Sequence, residues 1–312
     1  MRHVKRLIAG LLILSVTAGV LHAGQEADAV RGTVYLDENQ NGQFDPGEKG
    51  IGGVAVSNGI EVTRTGEDGS YSLHARDRMV VFVVKPAGYA LPVGENNVPR
   101  FYYIHRPEGS PEDIEKYAGL QPTGKLPHTV NFPLLEGKEN ESFRVAVLGD
   151  TQVGNHREIG YLRDTAVEDL TGQAVDFAIS LGDNVNDDLS LYPRYLSVMG
   201  KMGMPVYYLP GNHDLNSDAP DRESSTDTYI RLLGPPYYSF NVGKVHFVNL
   251  NTIDYDGDHY HGKIGEKQLR WLKNDLSVVP KDHLVVLSMH IPPFSWIEES
   301  AKHAVADREE LY

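Results

Sequence analysis

The sequence contains no cysteine among its 312 residues. It therefore excludes a disulfide framework, a thiolate metal site, a cysteine nucleophile and a lipid-modified cysteine. Any metal must be held by oxygen ligands or by imidazole, and 13 histidines are present for that purpose.

Positive charge is scarce: 29 Lys and Arg stand against 43 Asp and Glu, a formal net charge of −14. Because nucleic-acid sites need clustered Lys and Arg, we expect no nucleic-acid-binding surface. The hydrophobic share of 40% and the charged share of 23% are typical of a globular protein. A chain of this length predicts two domains.

The sequence also has little that could anchor it in a membrane. Arg2, Lys5 and Arg6 precede an apolar run at 7–20, and Ala23-Gly24 follows as a cleavage point. This pattern predicts a secretory signal peptide at 1–23, whose apolar core is short for a bilayer span. A buried N-terminal helix is the alternative, but the run has no polar face. We expect an exported protein, periplasmic or extracellular, without a stable membrane anchor.

Residues 30–92 are rich in β-branched and aromatic residues and in turns. Short strand-like runs at 33–36, 54–56, 71–73 and 80–84 are separated by clusters such as Asn58-Gly59 and Asp68-Gly69. This spacing predicts a small all-β sandwich.

Residues 37–48 match the twelve-residue calcium-loop pattern at every specified position. Gly42 permits the sharp turn, and Pro46 opposes the exiting helix of a helix–loop–helix site. The predicted calcium ligands are the side chains of Asp37, Asn39, Asn41, Asp45 and Glu48 and the backbone carbonyl of Gln43. The alternative is a polar turn between strands. With the glycines at 50, 52 and 53 and the 68–73 segment, this stretch resembles the calcium-stabilised β-sandwich modules of bacterial surface proteins. The resemblance implies a structural calcium.

A proline-rich segment at 93–140 is predicted to connect the domains. Seven prolines fall within 92–133, a density that opposes regular structure and favours an extended connection. The aromatic patch at 101–103 predicts that this connection packs against its surroundings.

Residues 141–312 show an α/β pattern. Continuous apolar runs at 143–148, 177–181, 206–209 and 284–289 predict strands covered on both faces, and helices are predicted at 158–170 and 189–199. Each run ends in a polar block: Gly149-Asp150-Thr151-Gln152, Gly182-Asp183-Asn184, Gly211-Asn212-His213-Asp214 and Met289-His290. Ligands bind at the carboxyl ends of such strands, so the blocks should meet at one crevice. Their oxygen and imidazole donors suit Mn, Fe or Zn.

These blocks, in this order, resemble the motif series of the calcineurin-like metallophosphoesterase family. The resemblance implies a layered β-sandwich flanked by helices and a phosphate-ester substrate. It also implies two divalent transition metals and a hydroxide between them that attacks phosphorus. Asp150 and Gln152 would bind the first metal, Asp183 would bridge both, and Asn212 and His290 would bind the second.

The resemblance further implies two catalytic residues. His213 would lie over the phosphate, stabilising its charge or protonating the leaving oxygen, and Asp214 would hold the His213 ring in the right tautomer.

The sequence departs from the family pattern at three places. Gln152 stands where most of the family has histidine, and Asp187 lies one residue later than the second aspartate of the GDxxD motif. No Gly-His-x-His follows His290, which predicts a C-terminally incomplete domain with weakened metal binding and little activity. His259 and His261 are poor substitutes because their strand context differs, and His303 is expected at the surface.

Two functions are compatible with these observations. The first is an exported dinuclear-metal phosphoesterase. The second is a calcium-stabilised surface or binding protein with a catalytically impaired phosphoesterase-like domain.

Overall fold

The computed structural model describes residues 29–111, 116–137, 142–296 and 302–312. The predicted signal peptide lies outside these residues. The N-terminal part contains eight strands, β1 (Ala29–Leu36), β2 (Ala55–Ser57), β3 (Val62–Arg64), β4 (Ser70–His74), β5 (Met79–Val83), β6 (Tyr89–Ala90), β7 (Tyr102–His105) and β8 (Phe132–Glu136).

These strands form two four-stranded sheets. Their orders are β4-β1-β8-β6 and β3-β2-β5-β7, and the pairing is antiparallel except between β1 and β8. Side chains alternate along the strands, so that Tyr71 and Leu73 of β4 are buried while their neighbours are exposed. The inward-facing residues of both sheets share one core, as expected of a β-sandwich.

Two of these strands lie where the proline content predicts an extended connection. β7 contains none of the seven prolines, so its backbone N–H groups can pair with β5, where Tyr103 lies opposite Val81. β8 includes Pro133, which lies opposite Tyr35 in the parallel pairing with β1. The proline-rich segment therefore completes both sheets of the sandwich in addition to connecting it to the rest of the chain.

The second part of the chain alternates strands and helices. Its strands are β9 (Val145–Leu148), β10 (Phe177–Ser180), β11 (Val206–Tyr208), β12 (Tyr238–Val242), β13 (Val245–Leu250), β14 (Ile253–Tyr255), β15 (Tyr260–Gly262) and β16 (Leu284–Met289). Its helices are α1 (His156–Leu162), α2 (Glu168–Leu170), α3 (Tyr192–Met199), α4 (Arg222–Ser225), α5 (Asp227–Leu233) and α6 (Glu266–Ser277).

Two three-stranded sheets organise this part. β11-β10-β9 is parallel throughout, and β12-β13-β16 pairs β13 with β16 in parallel and with β12 in antiparallel orientation. A turn of π-helix (Arg163–Val167) joins α1 to α2, and a 3₁₀ turn (Leu189–Leu191) precedes α3. The observed architecture confirms the α/β class and the preceding all-β sandwich.

Aromatic side chains and backbone contacts join the two parts. Trp271 of α6 is fully buried and packs edge-on against Phe82 of β5, with ring centroids 6.1 Å apart. The Tyr237 hydroxyl donates to the Gly59 carbonyl (2.7 Å), and the Asn241 N–H donates to the Lys85 carbonyl (2.8 Å). The sandwich is therefore packed onto the α/β part as a continuation of its core.

Apolar side chains are exposed at two sheet edges. β9 and β16 each end the order of their sheet in the described chain. Val147 of β9 and Leu284 of β16 are 60% and 62% exposed.

The described part of the C-terminal tail contains turns and one 3₁₀ helix (Arg308–Leu311). His303 is exposed. Within the described ranges, none of the helices has the length and apolar character needed to cross a bilayer.

A buried ion pair ties the connecting segment to α5. Arg106 and Asp227 are 8% and 0% exposed at their side chains and lie 2.8 Å apart. Replacing Arg106 leaves the buried Asp227 carboxylate with Arg78, 3.8 Å away, as its remaining ion-pair partner. Breaking a buried ion pair typically costs about 3–5 kcal/mol. We expect Arg106→Met to lower the free energy of unfolding by that order, as measured by denaturant titration.

The matched control is Arg163→Met, which removes the exposed ion pair with Asp164. Exposed pairs contribute about 0–1 kcal/mol. Equal effects of the two substitutions would contradict a structural role for the buried pair.

Candidate metal centre

The polar blocks lie together at the carboxyl ends of their strands. Asp150 follows β9, Asp183 follows β10, Asn212 follows β11 and His290 follows β16. The parallel order of β9, β10 and β11 brings the first three to one edge, as parallel sheets do for their ligand-binding loops. His290 joins them from the second sheet, because its Nε2 lies 3.2 Å from the Asn212 Oδ1.

Glycines allow the loops after β10 and β11 to touch. Gly182 has a φ of +88°, and a Cβ there would lie 2.6 Å from the backbone nitrogen of Gly211. A Cβ at Gly211 would in turn lie 2.1 Å from the Asp183 Oδ1. A larger residue at either position would therefore force the two loops apart.

The backbone is strained at the same place. Asp150, Gln152, Asp183 and Asp187 all have positive φ, from 39° to 62°. Such conformations cost free energy for residues other than glycine and persist where the surroundings fix them. One fixing contact is the hydrogen bond from the Gln152 N–H to the Asp183 carbonyl, at 2.7 Å.

Asp150, Asp183 and His290 form the centre of the site. One donor atom from each lies within 4.8 Å of the others, and this is the only such group of acidic or imidazole side chains in the described parts of the chain. Asp183 is buried and Asp150 is exposed, so the group opens toward solvent on one side. Two carboxylates with an imidazole and the neighbouring Asn212 oxygen are a donor set that fits a divalent transition metal.

The His290 ring is held so that one nitrogen faces the carboxylates. Its Nδ1 donates to the Leu181 carbonyl (3.0 Å), and its Nε2 lies 3.4 Å from the Asp183 Oδ2. Such a backbone acceptor is the usual support of a metal-binding histidine. Burial lowers the pKa of His290, but the contacts with Asp183 and the charge of Asp150 outweigh it, so that the pKa is raised. The same negative potential attracts a cation.

Gln152 lies at this edge, but its role as a metal ligand is a prediction from the sequence. The structure records its backbone contact to Asp183. An amide oxygen is a weaker donor than imidazole, so the prediction of a weaker first site also stands as a prediction.

His213 lies beside the carboxylate group. Its backbone N–H donates to the Asp183 Oδ1 (2.9 Å), and its ring Nε2 is 4.0 Å from the Asp183 Oδ2. The other ring nitrogen, Nδ1, lies 2.9 Å from the Asp187 Oδ1, and the Asp187 N–H donates back to the His213 carbonyl (3.2 Å). Asp187 therefore orients the ring.

These contacts correct the role predicted for Asp214. Its carboxylate is fully buried and accepts hydrogen bonds from the Gly211 N–H (2.9 Å), the Asn184 N–H (3.0 Å) and the Tyr192 hydroxyl (2.8 Å). Burial raises the pKa of Asp214 despite these donors. Successive side chains of the 3₁₀ turn Asn212–Asp214 point in different directions. The Asp214 side chain is therefore hydrogen-bonded to the backbone of the two loops, whereas the His213 side chain faces the site.

The signal for Asp187 was present in the sequence as the aspartate displaced by one residue from the GDxxD pattern. The displacement is compatible with a contact because Asp187 adopts a left-handed conformation, with a φ of 62°. Of the two alternative histidines, His261 contacts Asp256: its Nε2 lies 3.3 Å from the Asp256 Oδ2, and both side chains are about half exposed.

The loop 37–48 is folded around its own carboxylates. Asp37 accepts from the Gly42 N–H (2.8 Å), Glu48 accepts from the Asp45 N–H (2.9 Å), and the Asn41 amide donates to Asp45 (2.7 Å). Burial and then the charges of Asp37, Glu48 and Asp45 raise the pKa of the Tyr35 phenol below the loop. The predicted ligand side chains therefore converge on one turn.

Comparison with known proteins agrees with these observations. Residues 143–310 match the family model described as calcineurin-like phosphoesterase, and residues 38–117 match the model described as the N terminal of calcineurin-like phosphoesterase. The chain is similar to acid phosphatase type 7 of Mus musculus, with 28% identity over 163 residues, which are 49% of this chain and 35% of that protein. It is also similar to the serine/threonine-protein phosphatase CPPED1 of Pongo abelii, with 33% identity over 93 residues, which are 29% of each chain.

The chain thus spans about a third of the length of the curated relatives that it matches. A solved purple acid phosphatase, PPD1 from yellow lupin (Lupinus luteus) seeds, aligns with 76% of this chain and 45% of its own at 10% identity. Its TM-score of 0.35 is too low to bear on the fold. With the matched region covering more than half of the 312 residues, and with its motif residues converging as described, the chain belongs to the calcineurin-like phosphoesterase family.

Proposed function

We propose that this chain is an exported, metal-dependent phosphoesterase that hydrolyses phosphate esters at the edge where β9, β10, β11 and β16 end. The observation that carries the proposal is the convergence of Asp150, Asp183 and His290 within 4.8 Å. The relatives are named as phosphatases, which supports a phosphate ester as the substrate.

Two divalent transition metals, Mn, Fe or Zn, fit this proposal. Asp150 and Gln152 would hold the first, Asn212 and His290 the second, and Asp183 both. The position of the buried Asp183 carboxylate supports its role as the shared ligand. Its Oδ2 lies 3.4 Å from the His290 Nε2, and a donor atom of Asp150 lies within 4.8 Å of both residues. When bound, such metals would activate water and neutralise charge on the phosphate oxygens.

The protein's own contribution is to fix its side chains before the substrate arrives. The His213 N–H holds the Asp183 carboxylate, and the Leu181 carbonyl holds the His290 ring. Positioned groups of this kind reduce the rearrangement needed in the transition state.

His213 is the candidate general acid. Its Nδ1 lies against Asp187, which fixes the ring and leaves Nε2 on the side of Asp183. A phosphate ester bound beside Asp183 in the metal-loaded site would have its leaving oxygen near the His213 Nε2. That nitrogen could then donate a proton to the leaving oxygen. Asp187 is therefore a positioning residue in the proposed reaction.

A catalytically impaired binding protein is the second candidate function. It is favoured by one observation: Gln152 stands where most of the family has histidine, and an amide oxygen is a weaker metal donor than imidazole. Measured turnover separates the two candidates.

Calcium is proposed as a structural cofactor of the sandwich. The side chains of Asp37, Asp45 and Glu48 supply the negative charge, and the hydrogen-bonded turn around them already has a compact form. Export is proposed on the signal-peptide pattern at 1–23 alone.

Asp183→Asn is expected to lower phosphoesterase turnover more than any other single ligand substitution, by more than about 100-fold. The reason is that it weakens the hold on both metals. Hydrolysis of an aryl phosphate with added manganese measures the effect, and Asp164→Asn, an exposed position on the π-helical turn, is the matched control. Near-normal turnover of Asp183→Asn beside an inactive Asn212→Ala would show that the bridging assignment is wrong.

Calcium is expected to raise the melting temperature of the protein, because a ligand at 100 times its dissociation constant adds about 2.7 kcal/mol to the free energy of unfolding. Glu48→Ala should abolish the increase, since it removes the two-oxygen ligand. Thermal melts in calcium and in EGTA test this, with the exposed Glu67→Ala as the control. Melts that respond to neither condition would contradict the calcium assignment.

A further inference from the structure

A cavity of about 260 Å³ lies between the β-sandwich and the α/β part. The sandwich side contributes residues of β5 and of the turn at Asn58-Gly59, and the other side contributes residues of α4, α5 and the start of α6. None of Asp150, Asp183, Asn212, His213 and His290 lines it. The cavity is therefore separate from the candidate metal centre.

Basic side chains are concentrated around this cavity although the protein is strongly acidic. Three arginines and a lysine line it, against two glutamates: Arg78, Arg106, Arg222 and Lys267 against Glu223 and Glu266. The chain as a whole has a net charge of −14. Each of these basic side chains has an acidic partner: Asp227 for Arg106 and Arg78, Asp254 for Arg222 and Glu223 for Lys267. The lining is therefore nearly balanced in charge, and an anion would be recognised by the guanidinium N–H groups that these pairs leave free, such as the buried Arg106 Nε, which has no hydrogen-bond partner among the described residues.

The arginines are fixed by contacts that leave part of each guanidinium free. Arg106 donates to Asp227 through Nη2 (2.8 Å), Arg78 donates to the Ser224 hydroxyl through Nη2 (3.0 Å), and Arg222 donates to the Ile264 carbonyl through Nη2 (3.2 Å). Within the described residues, the Nη1 groups of all three arginines make no hydrogen bond. Fixed guanidinium groups with free N–H donors are suited to carboxylate or phosphate oxygens.

The rest of the cavity wall is mostly apolar. Phe82, Ile230, Pro235, Pro236 and Tyr237 line it. Small-molecule sites commonly combine an apolar wall with a few polar groups that fix orientation. The volume suits a ligand about the size of a substituted benzene ring.

We propose that this cavity binds a small organic oxyanion, with a carboxylate or phosphate-type head group on the arginines and an apolar body against the aromatic and proline wall. Because residues from both parts of the chain line the cavity, the bound ligand would also stabilise their packing. The site lies outside the proposed phosphoesterase centre and does not depend on its activity.

The test uses the full chain in the Asp183→Asn background, which weakens the metal centre as a competing site. Isothermal titration with phenylphosphonate and with benzoate, neither of which is a phosphate ester, measures binding and distinguishes the two head groups. Inorganic phosphate is the third probe, since it lacks the apolar body. We expect at least one aromatic probe to bind, and inorganic phosphate to bind at least tenfold more weakly.

Two substitutions alter the cavity by different means. Arg78→Gln removes a guanidinium, and Val80→Phe fills space from a half-buried wall position. Each should weaken binding of the aromatic probe at least tenfold, whereas Arg270→Gln on the exposed side of α6 should leave it unchanged. Thermal melts of each variant without ligand show whether it is folded.

Three results would overturn the proposal. The first is no binding of either aromatic probe at millimolar concentration, and the second is unchanged binding in both folded cavity variants. The third is binding to the chain with an intact Asp183 that disappears in the Asp183→Asn background, because the probe would then occupy the metal centre.

Discussion

The buried carboxylate of Asp214 is the contact on which the candidate site depends. It binds backbone N–H groups of Gly211 in one loop and of Asn184 and Val185 in the other. These loops follow adjacent parallel strands, and they carry Asp183, Asn212 and His213. A buried charge is costly unless its hydrogen bonds are satisfied, so the loops are held in the one arrangement that satisfies it. That arrangement sets the position of the metal-ligand candidates above it.

The β-sandwich and the connecting segment also contact the α/β part that carries the candidate site. Its strand β5 packs against the buried Trp271, and the connecting segment reaches the site through Tyr117, whose hydroxyl donates to the Asp187 carbonyl (2.9 Å). The residue that orients His213 is thus itself held by a residue outside the α/β part. The β-sandwich and the candidate metal centre are therefore connected through packed side chains and through one hydrogen bond from the connecting segment.

Much of the fold could be predicted from the sequence because its strands are covered on both faces. The continuous apolar runs at 177–181 and 206–209 predict strands buried on both faces, and β10 and β11 lie there. The polar blocks after them could be placed at one edge because parallel strands share a direction. The two strands in the proline-rich segment were not predicted, because the prediction used the proline content of the whole segment. β7 occupies a short stretch of it that contains no proline.

The details of the site could be predicted only in part. The identity of the converging residues follows from strand ends, but the partner of His213 depends on backbone conformation. The 3₁₀ turn separates Asp214 from its neighbour, and the left-handed Asp187 brings a carboxylate from another loop. The arginine-lined cavity was not predictable, because its walls come from segments more than a hundred residues apart.

Anomalous diffraction from crystals of this protein grown with manganese is the most direct test of the candidate metal centre. Two anomalous peaks are expected. One should lie within about 2.0–2.3 Å of carboxylate oxygens of Asp150 and Asp183, and the other within the same distance of an Asp183 oxygen and the His290 Nε2, as is typical of protein–metal bonds. Crystals that diffract well and show manganese elsewhere, with no peak among these three side chains, would contradict the assignment of the metal ligands.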